Sequence, residues 1–146
     1  MKFKKLSIAL SLFWGLASVY ADNVWETDFE AALTEAKSQN RYVLVNFTGS
    51  DWCGWCIKLH KEVFSHEAFK QFAADKLVLV EIDFPRKDSQ SKELKAQNKK
   101  LAEKYGIRGF PTILVLSPDG ELVGKTGYKA GGAKAYVAHL EEIIGK

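Results

Sequence analysis

Two apolar runs, Arg41–Thr48 and Leu77–Phe84, break the otherwise mixed pattern of the chain. Each is rich in Val and bounded by polar residues, the signature of a strand buried on both faces. The flanking segments repeat at helical spacing instead. Thr27 followed by Glu30 reads as a capping box, and Phe29, Ala32, Leu33 and Ala36 then predict a first helix near 28–38. Cys56, Leu59, His60 and Val63 share one helical face, and Ser65 reads as the cap of a further piece through Ala74. After a polar loop from Pro85 to Ser91, Leu94, Leu101, Ala102 and Tyr105 mark a helix that stops at Gly106. Thr112–Leu116 and Glu121–Tyr128 flank Ser117-Pro118-Asp119-Gly120, a hairpin turn. Ala133, Tyr136, Val137, Leu140, Ile143 and Ile144 line a last helix.

The predicted order is α-β-α-β-α-β-β-α. Early strands joined through helices and late strands joined by a hairpin imply an α/β domain whose central mixed sheet carries helices on both faces.

Residues 1–21 follow a different pattern. Lys2, Lys4 and Lys5 precede an uncharged stretch from Leu6 to Tyr20, and the ending Val19-Tyr20-Ala21, with small residues at the positions a signal peptidase reads, completes a secretory signal with cleavage after Ala21. The apolar run is shorter than the ~20 residues that span a bilayer. The formal charge of +3 then belongs to the leader, because 21 basic side chains less three leave 18 against 18 acidic ones in residues 22–146. The short Lys-rich start looks bacterial and points to a periplasmic or secreted domain. With 47% hydrophobic and 12% aromatic residues, the chain can bury a core without disulfide staples.

The two cysteines, Cys53 and Cys56, therefore call for a chemical explanation. A CxxC pair where a strand passes into a helix suits thiol–disulfide exchange. The sulfurs meet in a small ring, free N–H groups at the helix start favour a thiolate on the first cysteine, and the second can resolve a mixed disulfide. Cys53 is the proposed nucleophile and Cys56 the resolving thiol.

Val43-Leu44-Val45-Asn46-Phe47, Trp52-Cys53-Gly54-Trp55-Cys56, Tyr105-Gly106-Ile107-Arg108-Gly109-Phe110-Pro111-Thr112 and Gly120 through Gly127 together resemble a thioredoxin. Lys61-Glu62-Val63-Phe64-Ser65 and the leader look more like periplasmic members, notably the C-terminal domain of the bacterial transmembrane reductant transporter and small secreted thioredoxin-like reductases. The resemblance implies a thioredoxin fold and protein-disulfide oxidoreductase activity without a cofactor. It implies that Pro111 is a cis-proline opposite the disulfide, with Phe110 beside the substrate chain, and that a membrane electron transporter re-reduces the pair. Without the cysteines, Phe110-Pro111 reads as a turn before a strand.

Two departures from the family matter. Asn46 stands where a thioredoxin usually buries an acid that accepts the resolving cysteine's proton, and the lysine partnering that acid would fall near Leu79, also absent. Glu81 or a water is the remaining candidate base. Trp55 replaces the usual proline and brings a backbone N–H toward Cys53.

Other readings rank lower. Trp52 and Trp55 read as an apolar docking rim, although for Trp52 simple packing of the active turn is an equal reading. Cys53, Cys56 and His60 supply three ligands where a structural zinc site needs four, and His66 and His139 have no ligand-like spacing to them, so no metal is expected. Eight basic residues against three acids between Arg86 and Arg108 read as a solvated helix face, since the aromatic base-readers of a nucleic-acid groove are missing. A monomer that reduces protein disulfides is the leading expectation. A disulfide oxidase or isomerase is the rival within the same chemistry, and a peptide-binding or chaperone module the rival from another class.

Overall fold

The structure is a computed structural model that describes residues 24–87 and 89–145. The leader and its cleavage position after Ala21 lie outside the described residues. Five strands, β1 (Trp25–Glu26), β2 (Tyr42–Thr48), β3 (Leu77–Asp83), β4 (Thr112–Leu116) and β5 (Leu122–Thr126), form one sheet in the order β1-β3-β2-β4-β5. β3 runs parallel to both β1 and β2, whereas β4 is antiparallel to β2 and to β5. The helices are α1 (Phe29–Gln39), α2 (Gly54–Leu59), α3 (Glu67–Lys76), α4 (Lys92–Lys104) and α5 (Gly132–Ile144), with a π turn at His60–Phe64 continuing α2.

Period-two alternation along the central strands divides the core. Val43, Val45 and Phe47 of β2 with Val78, Val80 and Ile82 of β3 face α1 and α4, packing against Phe29, Ala32, Ala36 and Leu101. Leu44, Leu77, Leu79 and Ile113 face the other way, onto Leu59, Val63, Phe69, Tyr136 and Leu140. Both faces are thus covered, as the apolar runs require.

The element ends follow local chemistry. At the end of α4, Gly106 takes φ +61°, and Ile107 N–H and Gly106 N–H donate to the Ala102 and Glu103 carbonyls in a Schellman closure. Gly120, at φ +84°, closes the hairpin turn by donating to the Ser117 carbonyl. Three details differ from the sequence reading. Asp28 rather than Thr27 caps α1, its Oδ1 accepting from Ala31 N at 3.0 Å, because either residue offers the needed acceptor and the chain turns one residue later. Ser65 closes the π turn instead of opening α3: its N–H donates to the His60 carbonyl and its hydroxyl to the Lys61 carbonyl. The wider turn also leaves His60 exposed, while Cys56, Leu59 and Val63 stay buried.

Candidate active site

β2 delivers the chain to the carboxyl end of the sheet, where Gly49 makes a tight turn. The N–H groups of Trp52 and Cys53 both donate to its carbonyl, at 3.2 and 2.8 Å. A Cβ on Gly49 would stand 2.4 Å from Trp52 Cε2, so only glycine lets the indole lie over this turn. The end of β3 fastens the same turn. Ser50 donates its N–H and hydroxyl to the Asp83 carboxylate, and Asp51 accepts from the backbone N–H groups of Arg86 and Lys87.

Cys53 is the N-cap of α2, and its Sγ accepts from Cys56 N at 3.3 Å. The N–H that reaches Cys53 is therefore that of Cys56, rather than the Trp55 group singled out from the sequence. The two cysteines form a disulfide with their Cα atoms 5.2 Å apart. Both are buried, 7% and 5% exposed, so the residues around them shape what a partner meets.

Those residues fall into two aromatic groups. On one side the Phe110–Pro111 peptide bond is cis, and Phe110 stands edge-on to Trp52 at 5.9 Å and against Phe84 at 5.3 Å. The Arg86 guanidinium lies 4.0 Å over the Trp52 ring. On the other side Trp55, 57% exposed, packs 5.0 Å from Tyr128. Lys58 Nζ stands 5.0 and 5.3 Å from the two ring centres. Tyr128 donates its hydroxyl to Glu62 Oε2 at 2.6 Å, and that bond to a carboxylate holds its phenol above the ordinary range.

Beneath Cys56 opens a cleft of about 280 Å³ lined by Asn46, Thr48, Ser50, Cys56, Ile57, His60 and Glu81. Asn46 is buried, and its Oδ1 has no hydrogen-bond partner among the described residues. In the β2–β3 ladder its neighbour is Glu81, while Leu79 is paired with Leu44. The residue paired with Asn46 is thus the acid that the sequence offers as a candidate base. Burial, with the nearby Asp83 charge second, pushes the Glu81 carboxyl up. Among the described residues no group of three or more His, Cys, Asp or Glu is placed to hold a metal ion.

Residues 29–144 match the family model of a thioredoxin-like domain. The chain belongs to the thioredoxin-like family. The Disulfide bond reductase DsbH of Chlamydia pneumoniae is 35% identical over 120 residues, 82% of this chain and 72% of that protein. A solved DsbH oxidoreductase superposes with a TM-score of 0.81 at 30% identity, over 99% of this chain and 95% of that one. The C-terminal domain of Neisseria meningitidis DsbD, in the reduced form, shares the fold at 21% identity and a TM-score of 0.60, over 77% of this chain and 91% of that one.

This thioredoxin-like protein is a thiol–disulfide oxidoreductase built on a CxxC pair. Trp52, next to Cys53 in the chain, meets Phe110 of the cis Phe110–Pro111 peptide, and Trp55, between the cysteines, meets Tyr128. Sequence reasoning missed Phe84, Arg86, Lys58 and Tyr128. The first two lie in and beside a polar loop with no motif. Tyr128 sits at the end of a strand pattern, and only the fold carries it to Trp55.

Proposed function

We propose that the protein reduces disulfides in other proteins outside the cytoplasm, with Cys53 as nucleophile and Cys56 as resolving thiol. The Cys53 thiolate attacks one sulfur of a substrate disulfide, releasing the other as a thiolate and forming a mixed disulfide. Cys56 then attacks Cys53 Sγ, releasing the second substrate thiol and leaving the Cys53–Cys56 bond. Two electrons pass from the enzyme to the substrate.

One observation carries this reading: Cys53 caps a helix and accepts the Cys56 N–H, an environment that stabilises a thiolate on this sulfur. Trp52, Trp55, Phe110 and Pro111 form the substrate-binding edge. Reductive direction is supported by the similarity to the Chlamydia pneumoniae disulfide bond reductase. Residues 1–21 serve as a cleaved export signal and 22–146 as the mature monomer. No helix among the described residues is long and apolar enough to cross a membrane. Turnover in a disulfide-permissive compartment then needs a membrane electron transporter to restore the dithiol.

Insulin reduction by wild type, Cys53→Ser and Cys56→Ser tests the assignment. Wild type precipitates insulin chains, Cys53→Ser does not, and Cys56→Ser accumulates a covalent complex. Equal activity of wild type and Cys53→Ser overturns the redox reading.

A further inference from the structure

Resolution requires Cys56 to lose a proton. A free thiol has a pKa near ~8.5, and burial in an apolar setting raises it. Cys56 is 5% exposed, so at neutral pH its reactive form needs a nearby acceptor.

The cleft under Cys56 offers two titratable side chains, Glu81 on β3 and His60 on the π turn. Asn46, Thr48 and Ser50 complete its polar wall and cannot take up a proton near neutrality. Of the two candidates, Glu81 is partly buried beside the cleft floor, whereas His60 is exposed.

Asn46 distinguishes them further. Residues paired on neighbouring parallel strands stand ~5 Å apart on one face of the sheet, and Asn46 is paired with Glu81. Its buried Oδ1 is an acceptor without a donor. An ionised Glu81 has no hydrogen to give it, but a protonated Glu81 does. The buried amide is thus matched to the carboxyl after the proton has arrived.

We propose that Glu81, paired with Asn46 across the floor of the cleft beneath Cys56, accepts the Cys56 proton during resolution of the mixed disulfide, through water in the cleft. Asn46, Thr48, Ser50, His60 and Glu81 give the cleft polar groups for water to bond among its apolar surface, and it has room for several molecules at ~30 Å³ each. The Cys56 S–H bond breaks and Glu81 gains the proton. The Cys56 sulfur forms a bond to Cys53 Sγ as the bond from Cys53 to the substrate sulfur breaks, and the departing thiolate takes up a proton from solvent. Desolvation and Asp83 raise the basicity of Glu81 toward that of the thiol. Asp83 is the like charge on the same strand, its carboxylate occupied by Ser50. β2 contributes only the neutral Asn46 and Thr48 to the cleft, and the π turn contributes His60.

The proposal rests on Cys56 being the resolving thiol, and the test separates the two. The reduced full chain is mixed with an aromatic disulfide whose released thiolate is coloured. A first release reports attack by Cys53, and a second reports resolution by Cys56. Glu81→Gln is expected to slow the second release roughly tenfold or more at neutral pH, to displace its pH profile to the alkaline side, and to leave the first within about twofold. Glu81→Asp retains part of the rate, and Asn46→Asp placed in the Glu81→Gln chain restores it. His60→Gln leaves both releases near wild type. A second release unchanged in rate and pH profile in Glu81→Gln overturns the proposal, as does a loss confined to His60→Gln. A normal first release from Cys53→Ser instead removes the redox reading beneath it.

Discussion

Trp52 reaches across to the residue that follows β3: its Nε1 donates to the Phe84 carbonyl at 2.7 Å. The bond ties the active turn to the exit of β3 and presents the indole edge-on to Phe110. Trp52→Phe keeps an aromatic ring and removes the donor. It is expected to cost about 1 kcal/mol, read as a lower urea midpoint with an unchanged slope. A midpoint equal to wild type would show that the bond adds nothing.

Tyr136 makes the equivalent tie on the other side of the sheet. Its buried hydroxyl donates to the Gly127 carbonyl at 2.9 Å, and burial holds the phenol far above its usual range. Tyr136→Phe leaves that carbonyl without its donor and should cost about 1 kcal/mol. Because Gly127 precedes Tyr128, hydrogen exchange in residues 126–129 should quicken in the variant.

The exchange chemistry was legible in the sequence because it sits in contiguous residues, and the central strands because they are buried on both faces. β1 was not, since Trp25 and Glu26 are too short a strand to show any alternation and are held by pairing with Leu79 and Val80. The π turn has no composition of its own, so Ser65 looked like a start where it is a stop. The pairing of Asn46 with Glu81 is a matter of register between strands 35 residues apart, and local spacing carries no information about it.

Glu81 makes stability depend on pH with a definite sign. Its carboxyl is raised by desolvation first and Asp83 second, so the folded state binds this proton more tightly than the unfolded one. The stability associated with it is fully present below the ordinary carboxylate range and is lost as the pH climbs through the raised value. Glu81→Gln, which abolishes the titration, is expected to unfold at higher urea than wild type at neutral pH, with the gap closing in acid. A gap that widens in acid contradicts the assignment.

Trp55 occupies the second position of α2, where proline fits the helix start but removes an N–H from the end that faces Cys53. Trp55→Pro also removes a ring that packs on Tyr128 under Lys58. Cys56 N still donates to Cys53 Sγ, so the substitution removes only one N–H from the positive end of the helix, and the reduced form loses the part of its stability which that group lends a thiolate. The potential should become more negative by on the order of 30 mV, equivalent to about 1.4 kcal/mol for two electrons. Equilibration with glutathione measures it, and a rise in potential would rule this account of Trp55 out.

The central claim is that the Cys53–Cys56 pair gives electrons to substrates, and the reduction potential of the wild-type pair tests it most directly. Equilibration against a dithiol buffer of known potential, followed by alkylation and mass measurement, yields the value. A reductase predicts a potential near that of thioredoxin, ~−270 mV. A value near ~−120 mV, where a strong oxidant such as DsbA lies, would contradict the reductive assignment while leaving the exchange chemistry of the two cysteines intact.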